Sequence, residues 1–159
     1  MVIGGETESQ SNRTCEKRTW TLEKNGAEIK MSAGPELINC RFWHGCAYDS
    51  KRQRIIVAGG SQLGNTVEIL DIAPDGPMQN NEWRSGPTLP FNVFRHQLVY
   101  NPKLDSVFLI GGSFYEYNEY SGSVLKMEEE SWTELDSMRL KTPRDKFVAM
   151  NVPRSFTEC

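Results

Sequence analysis

RIIVAGG, residues 54–60, ends a β-branched apolar run on two glycines. VFLIGG, residues 107–112, does the same, and the chain opens on a third instance, VIGG, residues 2–5. Short runs of Val, Ile, Leu and Phe bounded by turn residues read as β-strands. A glycine pair closing such a run marks a place where the backbone turns to positive φ or where another backbone comes close. The pairs begin at Gly4, Gly59 and Gly111, intervals of 55 and 52 residues. An even spacing of that length is a repeat.

Other markers keep the same period. Trp83 precedes Arg95 by 12 residues, and Trp132 precedes Arg144 by 12. Arg41 leads its glycine pair by 18 residues and Arg95 leads its own by 16. MSAGPEL, residues 31–37, aligns with WRSGPTL, residues 83–89, so Met31 takes the place of Trp83 and Trp20 falls one strand earlier. Each unit then reads as four strands. Strand one follows the arginine (Phe42–Tyr48, His96–Tyr100, Lys146–Met150), and strand two runs into the glycines. Strand three is Trp20–Leu22, Val67–Leu70 and Val124–Met127, and strand four surrounds Ile29–Met31, Trp83 and Trp132. SQLGNT, DIAPDGPMQNNE and NPKLDS have the composition of turns. MEEESWTELDSM, residues 127–138, competes as a helix, but its Trp132 is in register with Trp83, so it reads as strand, turn, strand.

Four-stranded units of about 50 residues are the signature of kelch repeats. RFWHGCAY, RIIVAGG, VEILD and EWRSGP resemble the kelch pattern, hold register across two complete units and cover nearly the whole chain. The resemblance implies an all-β kelch-type β-propeller segment of about three four-stranded blades. Residues 1–40 would be a blade lacking strand one, 41–94 and 95–143 complete blades, and 144–159 a terminal strand one. It also implies structural roles for Gly4, Gly5, Gly59, Gly60, Gly111 and Gly112, where backbones pack closely, and for Trp83 and Trp132, which fill the space between blades. Propellers have about four to eight blades. The expectation is therefore the C-terminal portion of a kelch domain, half of a six-bladed ring. The complementary ends also allow a homodimer in which two copies complete that ring about a two-fold axis.

At 159 residues the chain is expected to form one domain. With 18 Lys+Arg against 21 Asp+Glu and no basic run, it offers nothing to nucleic acid. No apolar stretch approaches the roughly 20 residues of a membrane-spanning helix, and MVIGGETESQ does not read as a signal peptide. Cys15, Cys40, Cys46 and Cys159 allow three full pairings, and no spacing among them suggests zinc. Asn12-Arg13-Thr14 is an N-glycosylation sequon and makes Asn12 a glycosylation candidate. The sequon and the even cysteine count favour a secreted or extracellular setting over a cytoplasmic one.

His44 and His96 both head strand one without recurring co-ligands, so they read as structural, and no metal or cofactor is expected. Arg41, Arg95 and Arg144 recur at the same place. They either form a guanidinium face for acidic groups of a partner or bond the neighbouring blade's carbonyls. SFYEYNEYSG, residues 113–122, places Phe114, Tyr115, Tyr117 and Tyr120 on the loop after the third glycine pair, where aromatic residues offer contact area. With Phe94 beside Arg95, these residues are the candidates for binding a protein partner. No GxSxG, HExxH or phosphate-loop pattern appears. The expectation is a non-catalytic, non-enzyme scaffold that binds a protein through its loops. The alternatives are a propeller-scaffold enzyme, copper oxidase-like or sugar-active, with its catalytic residues outside this sequence, and the substrate-recognition part of a cullin ubiquitin-ligase adaptor.

Overall fold

A computed structural model describes residues 1–9, 12–60, 64–73, 81–114, 119–129 and 131–152. The strands in chain order are β1 (Val2–Ile3), β2 (Glu6–Ser9), β3 (Asn12–Cys15), β4 (Thr19–Asn25), β5 (Glu28–Ala33), β6 (Gly45–Asp49), β7 (Arg54–Ala58) and β8 (Val67–Asp71). They continue as β9 (Trp83–Ser85), β10 (Val93–Phe94), β11 (Gln97–Asn101), β12 (Ser106–Ile110), β13 (Ser113–Phe114), β14 (Glu119–Tyr120), β15 (Val124–Met127) and β16 (Trp132–Glu134). Among the described residues one 3-10 turn covers Asp136–Met138. No described helix is long and apolar enough to cross a membrane.

The chain is all-β and propeller-type. Two sheets are four-stranded antiparallel meanders, β6-β7-β8-β9 and β11-β12-β15-β16, and a third is the three-stranded β1-β4-β5. The second strands run into the glycine pairs, and the third strands pair with them: Ile56 lies opposite Ile69, and Leu109 opposite Leu125. Ile56, Leu109 and Leu125 are fully buried in the cluster between the two four-stranded sheets, and Leu70 is fully buried in the cluster shared with Leu37 and Trp83. Two smaller pairings elaborate the loops between strands two and three. β2 and β3 form a hairpin, and β13 pairs with both β14 and β10, tying Ser113–Phe114 to the start of its own blade.

Three differences from the sequence reading have physical causes. Residues 42–44 do not join strand one, because Trp43 takes φ +58 and breaks the extension before Gly45. Lys146–Met150 is not a strand. A strand one pairs with strand two of its own blade, and no such partner follows it among the described residues. Met31 occupies the register position of Trp83 and Trp132, opposite Leu22 as they lie opposite Leu70 and Met127. Yet it is 57% exposed, because each tryptophan lies against the preceding blade and no blade precedes Met31 here. Trp83 and Trp132 are buried, and their indole N–H groups donate to the carbonyls of Pro35 and Pro87 one unit earlier, at 3.0 and 2.9 Å. Cys15 is disulfide-bonded to Cys40. Cys46 is unbonded, and Cys159 lies outside the described residues.

Blades are joined by one recurring backbone bond. The N–H of the second glycine donates to the first residue of the next unit's entry: Gly5 to Arg41, Gly60 to Val93 and Gly112 to Arg144, at 2.9, 3.0 and 2.9 Å. The structural equivalent of Arg41 is therefore Val93, not Arg95. The two-residue difference between the 18- and 16-residue spacings carries this correction. At the first joint the Arg41 side chain, 1% exposed, donates to the Gly59 and Thr66 carbonyls at 2.9 and 3.1 Å and to Glu68 at 2.6 Å. Glu68, equally buried, also accepts the Ile38 and Asn39 backbone N–H groups at 2.7 and 3.1 Å. At the next joint Val93 takes the place of Arg41 and Leu125 that of Glu68, and both are buried in one apolar cluster.

One chain thus builds the same joint once from ions and once from hydrocarbon. Leaving one member of a buried ion pair alone costs about 3–5 kcal/mol, whereas replacing both with well-packed apolar groups is often neutral. The R41V and E68L variants should each lose stability of that order in denaturant unfolding. The R41V/E68L double variant should recover most of the loss, and a strictly additive loss would refute the equivalence.

Candidate functional site

Two residues beyond each joint the backbone turns left-handed at a residue that is not glycine: Trp43, Arg95 and Lys146, at φ +58, +56 and +52. Left-handed non-glycine residues are strained and collect at functional sites. Here a ladder holds them. Arg95 N–H donates to the Trp43 carbonyl at 2.8 Å, and Lys146 N–H donates to the Arg95 carbonyl at 3.3 Å. The ladder runs at the entry to strand one, where β6 and β11 of neighbouring blades adjoin. It sets one projecting side chain per unit along the inner edge.

The side chains at this edge are organised. The Arg95 guanidinium lies 3.9 Å from the Trp43 ring centroid and 5.2 Å from that of Phe94. Phe42 packs edge-on against Trp43 at 4.8 Å, and Phe94 lies tilted at 5.8 Å. Asp145 faces Arg95 at 3.5 Å and accepts the Ser113 hydroxyl at 3.0 Å. Trp43 remains 41% exposed and the Arg95 side chain 25%. A cation over an indole face gains up to about 2 kcal/mol where it is desolvated.

Behind the ladder stands a second repeated position: His44, His96 and Phe147, each packed on the first glycine of the preceding pair. A Cβ at Gly59 would come within 2.5 Å of His96 Cε1, and one at Gly111 within 2.9 Å of Phe147 Cε1. Gly59 and Gly60, at φ +63 and +102, thus meet both demands that the sequence places on a glycine pair. Burial, then the nearby Arg41 charge, holds His44 down to about 4. Burial, then His44, holds His96 down to about 3.

The residues singled out from sequence fall in different places. Arg95 and Phe94 belong to the edge cluster, while Arg41 is sealed inside the joint and cannot meet a partner. Arg144 is exposed, and its Nε donates to the Thr142 carbonyl at 3.1 Å. Phe114 packs edge-on against Phe91 at 4.9 Å, and Tyr120 is 63% exposed on β14. Tyr115 and Tyr117 lie outside the described residues, and Asn12 heads β3. Trp43, Asp145 and Lys146 were not anticipated. Aligning the entries on the glycine pairs that follow them, rather than on the arginines, would have placed Trp43 and Arg95 in one column.

No family model and no curated protein matches the chain. Solved structures do. The structure of YjhT superposes with a TM-score of 0.63 at 15% identity, over 82% of this chain and 42% of that one. A fungal alcohol oxidase solved in complex with copper superposes with a TM-score of 0.50 at 20% identity, over 74% of this chain and 24% of that one. The chain therefore spans less than half the length of either. At these identities the likeness establishes the propeller-type fold alone.

These matches correct the expectation of a non-catalytic binding scaffold. That expectation took the blade pattern as the mark of a recognition module, and the same fold is carried by an oxidase. Its central arginine, Arg41, is also buried. Copper does not fit the residues present. Among the described residues no group of three or more His, Cys, Asp or Glu side chains could hold a metal ion, and His96 is walled in by Gly45 and Gly59.

The histidines give a pH signature. Both hold folded-state values below the unfolded value near 6.5, so the unfolded chain takes up protons first as the pH falls. Their contribution is complete above about pH 6.5 and is lost on descent toward pH 4 for His44 and pH 3 for His96. Each should add up to about 1.4 kcal/mol per pH unit to the acid slope of stability. Phenylalanine serves this position at its third occurrence, Phe147, so H44F should remain folded and flatten that slope in denaturant titrations at pH 4 to 7. An unchanged slope would show that His44 takes up its proton at the same pH in the folded and unfolded chain.

Proposed function

We propose that this chain supplies the scaffold and a substrate platform of a kelch-type propeller enzyme acting on sugars or related alcohols, its catalytic groups lying outside these 159 residues. In this reading residues 1–40, 41–94 and 95–143 are successive blades, 144–159 enters another, and the ring has about six. The observation that carries the proposal is the Arg95 guanidinium stacked 3.9 Å over Trp43 at the inner edge. An exposed indole presents an apolar face to the C–H side of a sugar ring. A guanidinium offers five N–H donors in a fixed fork to hydroxyl or carboxylate oxygens. The ladder beneath fixes both side chains before any ligand arrives, which lowers the entropy lost on binding. The fold is shared with an alcohol oxidase, and this supports the enzymatic reading over a scaffold role.

The test is a titration of the folded chain with neutral and carboxylate-bearing monosaccharides, followed by tryptophan fluorescence and ligand-observed NMR. Binding should saturate with at least one class. W43G should abolish it while leaving the protein folded, because glycine relaxes the left-handed backbone at φ +58. R95A should weaken carboxylate sugars more than neutral ones. Saturable binding that survives W43G would place the platform elsewhere, and no binding to any member of either class would overturn the reading.

A further inference from the structure

The β2–β3 hairpin is the part of the chain that the propeller reading leaves unused. It leaves the first glycine pair directly, since Gly5 N–H is bonded to the Arg41 carbonyl and Gly5 carbonyl accepts Glu16 N–H at 3.0 Å. Its strands pair in register from Glu6↔Cys15 to Ser9↔Asn12, and among the described residues they pair with no other strand. ETES and NRTC contain no aliphatic or aromatic residue, so the hairpin has no apolar face to bury. An isolated two-stranded hairpin of this kind is marginal in water. What anchors it is covalent: Cys15, the last residue of β3, is bonded to Cys40, immediately before the Arg41 joint. The far end of the hairpin carries the sequon Asn12-Arg13-Thr14. Thr14 is exposed, and its backbone carbonyl accepts the Thr7 hydroxyl at 3.3 Å.

Two independent features therefore meet on one small element. A disulfide forms and persists where the environment is oxidising, and in eukaryotic cells the secretory lumen is also where asparagine is glycosylated. We propose that Asn12 is an N-glycosylation site, carried on the far end of the hairpin whose near end the disulfide anchors at the entry to the second blade. In the transfer, the amide nitrogen of Asn12 bonds to the anomeric carbon of a lipid-pyrophosphate-linked oligosaccharide. The lipid pyrophosphate leaves, one amide proton is lost, and nothing is oxidised or reduced. This site is separate from the Trp43–Arg95 platform and does not depend on it.

The decisive measurement is mass spectrometry of the protein from its natural source. The sample is alkylated before reduction and digested with and without an N-glycosidase. The peptide holding Asn12 should appear only after deglycosylation, with Asn12 converted to Asp, and Cys15 and Cys40 should escape the first alkylation. An unmodified Asn12 peptide, or Cys15 and Cys40 alkylated as free thiols, overturns the proposal. A second arm is independent of folding. The chain, fused to a cleavable secretory leader, is translated in the presence of microsomes. The protease-protected product should shift in the unsubstituted and T14S chains and not in N12Q or T14A. A protected, unshifted product from the unsubstituted chain also overturns it.

Discussion

Everything in this molecule hangs on one backbone hydrogen bond, made three times. The second glycine of each pair donates to the carbonyl of the residue that opens the next unit. At two of the three a side chain would collide, since a Cβ on Gly60 would stand 2.7 Å from the Phe42 carbonyl and one on Gly112 2.8 Å from His96 Cβ, while Gly5 meets the demand through its positive φ of +118. The glycine pair is thus the condition for two blades to touch at all. Once they touch, the tryptophan of strand four reaches back to the proline carbonyl of the unit before, and the inner and outer ends of the first two joints are both fixed. The left-handed turn at Trp43, Arg95 and Lys146 follows from the same constraint. A chain that has given its carbonyl to the neighbouring blade must turn sharply to enter its own strand one.

The joint's geometry is conserved along the chain while its chemistry is not. Arg41 and Glu68 bridge the first by charge, at 2.6 Å and out of water. Val93 and Leu125 close the second by packing. A buried ion pair is weak evidence for stability, because desolvation offsets much of the attraction. Its gain here is in direction. Glu68 gathers the Ile38 and Asn39 backbone groups as well as the guanidinium, so it fixes the linker that carries Cys40 and, through the disulfide, the hairpin.

Much of the fold was legible because repeats supply their own controls. The middle strands, the four-strand order and the register of Met31 with Trp83 all follow from markers that recur at fixed spacing. The edge cluster was harder to read, for a physical reason. The sequence shows an arginine at 41, 95 and 144, and the eye aligns like with like. Backbone hydrogen bonding aligns position with position, and it sets Arg41 beside Val93 and Arg95 beside Trp43. Side-chain identity misled where glycine spacing would not have. The β2–β3 hairpin was illegible for a different reason. Its strands are polar throughout, so no apolar alternation announces them, and their anchor is a disulfide whose partner lies 25 residues away.

The edge cluster also shows why a shared fold cannot carry a function by itself. Propeller blades are a way of stacking sheets, and the residues that touch a ligand stand on turns that the stacking merely positions. Within one chain the same left-handed turn holds an indole, a guanidinium and an ammonium group in succession. The backbone requirement is identical at all three and tolerates any of them, because the ladder carbonyl and N–H satisfy it without help from the side chain. The inner edge is therefore the place where sequence can change without disturbing a joint. Trp43 and Arg95 stack there instead of dispersing into solvent, and that contact answers to no need of the blades.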